Sequence, residues 1–205
     1  MGATVPTVPK EALAADGWRE RERRETTAFD AKVVTVEAAT VVYEDVDLRE
    51  RVREATGLDR LWRFFVASRL TLSPATPPSR ALTSLVADRA QAGFADTLEE
   101  RGFEGVRRSD PAEEAGTTGA ADALGDDSRV ASYDALCRLG EVSVRARGWA
   151  AVRPAGDAYL LVGGAYPTTV RDAPADPGVG SAIGELLDPD RFRGELFELM
   201  RATDG

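Results

Sequence analysis

The segment from Arg145 to Arg153 carries the side chains best suited to binding a partner. Arg145, Arg147, Trp149 and Arg153 are separated by even numbers of residues. Because alternate side chains of a β-strand point to the same face, these four would share one face. Guanidinium and indole groups bind anionic and aromatic partners through charge-assisted hydrogen bonds and stacking. We interpret the row as a candidate binding surface; the alternative is that a helix covers it and its carboxylates pair with the arginines.

Paired carboxylates offer a second kind of chemistry. Two neighbouring carboxylates can act as general acid and base or hold a hard cation. Examples are Asp45 with Asp47, Glu99 with Glu100, and Asp126 with Asp127. In an acidic chain they also arise from composition alone. They leave open a carboxylate-dependent or metal-assisted hydrolase that uses Asp, Glu, Arg and Tyr.

The composition excludes most of the familiar catalytic and metal chemistry. The chain has no histidine, which removes Ser-His-Asp and Cys-His nucleophiles and His-based metal sites. Cys137 is the only cysteine, so no disulfide or Cys-x-x-Cys pair can form, and we expect it to be a small buried residue. We therefore predict no catalytic residue, no metal and no cofactor, and we favour a protein that is not an enzyme.

Two further patterns resemble nucleic-acid or phosphate sites, but neither has the features that such sites require. The four arginines between Arg19 and Arg24 are interleaved with Glu20 and Glu22, and the net charge is −9, whereas phosphate binding needs clustered positive charge. Gly163-Gly164 lacks the glycine-rich loop and helix of a phosphate cradle, so we expect close packing there. The sequence predicts no nucleic-acid partner.

The charged residues have an unusual composition. Only Lys10 and Lys32 of the 26 basic residues are lysine, against 35 acidic residues. Such a surface is typical of a protein from a salt-loving archaeon, although a GC-rich bacterium also favours arginine over lysine. In about 1 M salt the Debye length is only about 3 Å, so repulsion between surface carboxylates is screened. We expect the fold to depend on salt.

Length and hydropathy predict one soluble, cytoplasmic domain over residues 1–205. The first nine residues lack the basic start and apolar run of a secretory signal. The longest apolar stretch, from Ala158 to Tyr166, is about half of the roughly 20 residues that span a bilayer, so no membrane span is predicted. The oligomeric state stays open.

Hydrophobic periodicity and capping signals predict an α+β protein with a single antiparallel sheet of about six to seven strands flanked by helices. Helices are predicted at 7–17, 48–56 and 79–101 and from 188 onward, and strands at 18–29, 33–43, 62–72, 103–108, 130–139, 141–153 and 159–165. The all-apolar run at 159–165 is typical of a central strand covered on both faces.

Three finer predictions concern caps, a helix face and loops. Asp47 is expected to cap the helix that ends at Gly57, and Leu85 to lie on the buried stripe of the helix at 79–101. The acidic, glycine-rich segment 109–128 is predicted to be a mobile surface loop, and 168–180 a second loop.

Three stretches carry a family resemblance: Val41 to Glu54, Phe64 to Leu72 and Leu161 to Pro167. Together they resemble a family of uncharacterised haloarchaeal proteins, over most of the chain from Trp18 to the last helix. Members of that family often carry a lipoprotein-type signal, which this N-terminus lacks. The order of elements is also similar to the PsbP-type sandwich, an analogy of fold that implies no function.

Three classes of function follow from these observations. We favour a non-catalytic binding or accessory protein that contacts another protein through a sheet face or a long loop. The hydrolase described above is the alternative, and a deep pocket with converging carboxylates would be its sign. A small-molecule or lipid carrier is the third class, for which an interior cavity would be the sign.

Overall fold

The fold is an open antiparallel sheet with helices packed on it. A computed structural model describes residues 4–15, 17–31, 34–109, 124–125, 127–173 and 177–205. Within these residues seven strands form one sheet, which confirms the α+β prediction and its upper strand count.

The described chain contains twelve elements, which begin with α1 and end with α5. The strands are β1 (Trp18–Ala31), β2 (Val34–Asp45), β3 (Phe64–Ser73), β4 (Phe103–Ser109), β5 (Arg129–Leu139), β6 (Val142–Ala155) and β7 (Ala158–Asp172). The helices are α1 (Lys10–Ala15), α2 (Val46–Thr56), α3 (Arg80–Glu100), α4 (Pro177–Leu186) and α5 (Pro189–Ala202).

The strand order is β1-β2-β3-β7-β6-β5-β4, with every neighbouring pair antiparallel. The all-apolar strand β7 lies in the middle, as predicted, and its first ten residues are all buried. The charged strand β1 lies at one edge. Charged side chains on an edge strand disfavour pairing with another sheet.

Two glycines in β7 allow α3 and α5 to approach the sheet from opposite sides. A Cβ at Gly163 would lie 3.1 Å from Phe94 of α3, and one at Gly164 would lie 2.8 Å from Leu196 of α5. Helix α3 also packs on β4, β5 and β6, whereas α4 packs on β7 and α2 packs on α4. The sheet is therefore covered on both faces at its centre.

Two finer predictions, on the cap of α2 and on the buried face of α3, were wrong. The cap of α2 is Asp45, whose side chain accepts a hydrogen bond from the Leu48 amide, and Asp47 lies in the first turn instead. Leu85 is 41% exposed, because the buried side of α3 runs through Val86, Phe94 and Leu98. The periodicity places Leu85 beside that stripe but just outside the surface that the sheet covers.

The predicted loop at 168–180 is replaced by regular structure at both of its ends. β7 continues to Asp172 and α4 begins at Pro177. Ile183 of α4 is fully buried. Its packing therefore stabilises a helix whose glycines and proline have little intrinsic tendency to form one. Most of the loop predicted at 109–128 lies outside the described residues.

No helix in the described part of the chain is both long enough and apolar enough to cross a membrane. A cytoplasmic location stays a prediction.

The packing at Gly164 leads to a test of the central strand. The Cβ of Gly164→Ala would collide with the Phe64 carbonyl of the neighbouring strand, so we expect a loss of about 2–3 kcal/mol of unfolding free energy. The matched control is Gly194→Ala on α5, where a Cβ meets nothing within 4 Å and a helical alanine should add about 0.5–1 kcal/mol. Denaturant unfolding measures both. Equal stabilities for the two variants would contradict this packing.

Candidate functional site

The predicted binding row lies on β6 and is divided by the helix that packs over it. The side chains of Arg145, Arg147, Trp149 and Arg153 project to the side opposite the fully buried Val144 and Val152. Arg145 is exposed, Arg147 and Arg153 are partly buried, and Trp149 is buried. The four residues therefore share a face but do not form one open surface.

Trp149 belongs to the core beneath α5. It is 1% exposed, and its ring meets Phe197 edge-on at 5.2 Å between centroids. Its indole N–H donates to the Tyr166 hydroxyl at 3.2 Å, and the Arg193 guanidinium lies 5.5 Å from its ring centroid. Burial raises the pKa of the Tyr166 phenol, which keeps that acceptor neutral. Trp149 thus fixes α5 on the sheet.

Arg153 ties the C-terminal segment to the sheet. Its Nη2 donates to the Thr203 carbonyl at 2.6 Å, and Thr203 is itself fully buried. Asp204 and Thr7 form two backbone hydrogen bonds with each other, so both termini of the described chain are held at this place. The contacts of Arg153 are structural.

The open end of the row forms what we call the arginine depression, a shallow recess of about 820 Å³. Its charged lining consists of Arg107, Arg145, Arg147, Arg171, Glu99 and Asp134. Arg147 pairs with Asp134 at 3.1 Å, and burial lowers the pKa of the Arg147 guanidinium from its ordinary value. Arg107 and Arg145 are exposed. Four arginines against two acids give this recess a positive charge.

The most deeply buried charge of the described residues is elsewhere, at Arg63. This side chain is 1% exposed, and its guanidinium carbon lies 4.6 Å from the Trp18 ring centroid and 4.7 Å from that of Phe192. Its Nη1 donates to Asp45 at 3.1 Å and to Glu195 at 2.5 Å, and its Nη2 donates to the Phe192 carbonyl at 3.1 Å. Sequence reasoning missed this cluster.

The acid-lined recess beside Arg63 has a volume of about 430 Å³. Its lining residues are Asp45, Asp47, Glu50, Arg51, Glu54, Arg63, Arg191 and Glu195. Burial raises the pKa of the Asp45 carboxyl and nearby Glu195 adds to that rise, while the Leu48 amide and Arg63 oppose it. This is the place in the described chain where carboxylates converge, as a carboxylate-dependent enzyme would require.

The other candidate residues lie apart from this recess. Glu99 and Glu100 are exposed on α3, and Asp126 lies outside the described residues. Cys137 is buried as predicted, and burial raises the pKa of its thiol. Within the described ranges no three acidic or cysteine side chains are grouped so that they could hold a metal ion.

The N-terminal arginines are largely engaged with glutamates of the same sheet. Arg23 pairs with Glu20 at 2.9 Å, and Arg21 pairs with the buried Glu44 at 2.6 Å. Ion pairs of this kind leave little uncompensated positive charge along β1. The absence of a nucleic-acid partner stays a prediction.

Comparison with known proteins identifies a family. A family model described as a domain of unknown function, DUF6517, matches residues 5–204. The chain belongs to this family. Neither the comparison with curated proteins nor that with solved structures gives a match. The expectation of an uncharacterised family that spans most of the chain is confirmed, and the DUF6517 match assigns no activity to it.

The Arg63 cluster leads to a stability prediction. Arg63→Met removes the cation that pairs with the buried Asp45 and the partly buried Glu195, which costs about 3–5 kcal/mol of unfolding free energy at neutral pH. Removing the cation raises the pKa of Asp45 further above the value near 3.9 of an unfolded chain. The folded state of the variant then binds more protons than its unfolded state. The stability deficit of Arg63→Met relative to the parent protein therefore shrinks as the pH falls toward about 4.

Denaturant unfolding of the parent protein and of Arg63→Met, from neutral pH down to about 4 and at constant salt, measures this deficit. The matched control is Arg201→Met at an exposed position of α5, for which we expect a change within about 0.5 kcal/mol at every pH. A deficit for Arg63→Met that stays constant with pH would show that lost packing alone accounts for it.

Proposed function

We propose that this DUF6517 protein is a non-catalytic binding or accessory protein that contacts another protein through the arginine depression. The partner segment that fits is an extended acidic one. The supporting observation is the local charge: four arginines line this recess in a chain whose net charge is −9. Opposite charge on two partners gives specificity and rapid association.

Arginine is suited to this role in a salt-rich medium. Its planar group forms two parallel hydrogen bonds to one carboxylate, which operate at contact distance where screening is weak. Arg145 and Arg107 are exposed side chains on β6 and β4 and can reach a bound segment. Trp149 and Arg153 would contribute indirectly, by fixing the strand that presents Arg145 and Arg147.

The alternative function is a carboxylate-dependent or metal-assisted hydrolase located in the acid-lined recess. The observation on its side is the convergence of Asp45 and Glu195, with the raised pKa of Asp45. However, Asp45 caps α2 and both carboxylates accept hydrogen bonds from Arg63, so structural bonds already occupy them. We therefore prefer the binding function.

Charge reversal in the depression tests the proposal. The double variant Arg107→Glu/Arg145→Glu should weaken binding of a fluorescently labelled poly-glutamate peptide by at least about tenfold, because it replaces two attractive charges with repulsive ones. Fluorescence anisotropy gives the dissociation constants, at the lowest KCl concentration at which circular dichroism shows a folded protein.

The matched control is Arg80→Glu/Arg201→Glu, which makes the same change in net charge at two exposed arginines of α3 and α5. We expect its dissociation constant to stay within about twofold of the parent value. Equal losses in both double variants, or no binding by the parent protein, would remove the depression as the docking surface.

We also propose that the acidic, lysine-poor surface is an adaptation to high salt and that the protein comes from a salt-loving archaeon. The composition supports this, since 35 acidic residues oppose 26 basic ones. The midpoint of thermal unfolding should then rise with KCl well beyond about 1 M, because screening relieves repulsion between surface carboxylates. A midpoint that does not change with KCl would contradict the adaptation.

A further inference from the structure

A second recess lies on the face of the sheet that carries α3. We call it the α3 groove, a space of about 330 Å³ between β1 and α3, which is at the small end of the volumes of ligand pockets. Its floor is formed by β2 and β3, through Ala38, Thr40, Val42, Val66, Ser68 and Leu70. These are alternate residues of the two strands, so they share the face toward α3. Four of the six are apolar.

The groove exists because β1 and α3 diverge above the sheet. Helix α3 packs mainly on β4 and β6, which lie in the half of the sheet away from β1. The pairing of β1 with β2 is irregular between Glu20 and Glu22 and between Thr27 and Phe29. Such bulges bend an edge strand, and the residues from Arg24 to Phe29 form the outer wall of the groove.

A glycine leaves the inner wall open. Gly93 of α3 lines the groove, and a Cβ at that position would meet nothing within 4 Å. A glycine in the middle of a long helix costs stability relative to alanine. The missing side chain therefore leaves room beside Phe94 and Thr97 that a larger residue would occupy.

The floor contains one polar pair. Thr40 and Ser68 are 6% and 3% exposed, and their hydroxyl oxygens lie 2.7 Å apart. One hydroxyl proton makes this bond, and the proton of the accepting hydroxyl has no further partner among the described residues. The pair is the polar part of a floor that is otherwise apolar.

One end of the groove has two guanidinium groups that share a single carboxylate. Arg24 and Arg101 both pair with Glu22, at 3.3 Å and 3.1 Å. The Nε atoms of both arginines are buried and have no hydrogen-bond partner among the described residues. Because protein atoms cover these Nε atoms, the groups that can donate to an anionic acceptor in the groove are the terminal N–H groups of the two guanidiniums.

We propose that the α3 groove binds a small amphipathic carboxylate, with its apolar body on the floor of β2 and β3 and its carboxylate hydrogen-bonded to Arg24 and Arg101. This inference is independent of the arginine depression, which is lined by a separate set of residues. It extends the function from protein binding to small-molecule binding.

The test uses octanoate, below the concentration at which it forms micelles, and the full chain. Isothermal titration calorimetry should detect binding, and octan-1-ol should bind at least about fivefold more weakly because it lacks the anionic group. Amide NMR shifts on octanoate addition should be largest in 36–42, 66–70 and 90–97. No binding at millimolar octanoate, or equal binding of the alcohol, would overturn the proposal.

Two matched pairs of variants locate the site. Gly93→Leu should weaken octanoate binding at least about tenfold by filling the groove, whereas Gly194→Leu on α5, where a Cβ is equally unobstructed, should leave it within about twofold. Arg24→Gln should weaken octanoate binding but leave octan-1-ol binding unchanged, and Arg80→Gln should affect neither.

Thermal unfolding confirms that each variant is folded before binding is measured. Unchanged octanoate binding by Gly93→Leu would overturn the proposed location, and equal losses of octanoate and octan-1-ol binding by Arg24→Gln would overturn the role of the arginine. Neither result depends on the poly-glutamate experiment, so the two proposals fail separately.

Discussion

The buried guanidinium of Arg63 is the interaction on which the arrangement of the other elements depends. A charge removed from water carries a desolvation cost of several kcal/mol unless it is paired and hydrogen-bonded. Here two carboxylates, one carbonyl and two aromatic rings surround it. These groups come from the start of β1, the junction of β2 and α2, and α5. Loss of the Asp45 or Glu195 contact would remove part of the charge compensation of Arg63, and loss of Trp18 would expose one face of its guanidinium.

This constraint has consequences for both faces of the sheet. Because Asp45 is also the cap of α2, the start of that helix is fixed to the same point as α5. Helix α5 then covers Trp149 at the centre of its face, and α3 packs its Phe94 side chain against Gly163 on the opposite face. Single helices are about 10 Å wide and cannot cover a seven-stranded sheet, so part of each face stays open. The arginine depression and the α3 groove are those open parts.

Much of this fold could be predicted from local patterns. The alternating pattern predicted strands at 130–139 and 141–153, close to the observed β5 and β6, and the unbroken apolar run predicted the central strand. The Asp188-Pro189 pair marked the start of α5, because aspartate caps and proline fits the first turn. Each of these signals acts within a few residues, so no knowledge of distant contacts was needed.

The features that escaped prediction depend on distant residues. Helix α4 begins Pro-Gly-Val-Gly, a poor helix former, and it packs against α2, which is more than 100 residues away along the chain. Arg63 lies between Trp62 and Phe64, and nothing local shows that its partner Glu195 lies 132 positions further on. The sequence row from Arg145 to Arg153 was located correctly on one face, but only the position of α5 decides which of its members reach solvent.

Arginine, and not lysine, occupies the charged positions inside this protein because the two side chains differ in shape and hydration. Lysine offers a compact, strongly hydrated charge, whereas the guanidinium is flat, weakly hydrated and able to lie between two rings while its edge donates hydrogen bonds. Arg63 uses both properties at once, and Arg101 combines an ion pair with Glu22 and a contact of 5.2 Å with the Phe64 ring. In concentrated salt, long-range attraction is lost while contacts of this kind persist. A chain with almost no lysine can therefore keep its buried ion pairs under conditions in which screened surface charges contribute little.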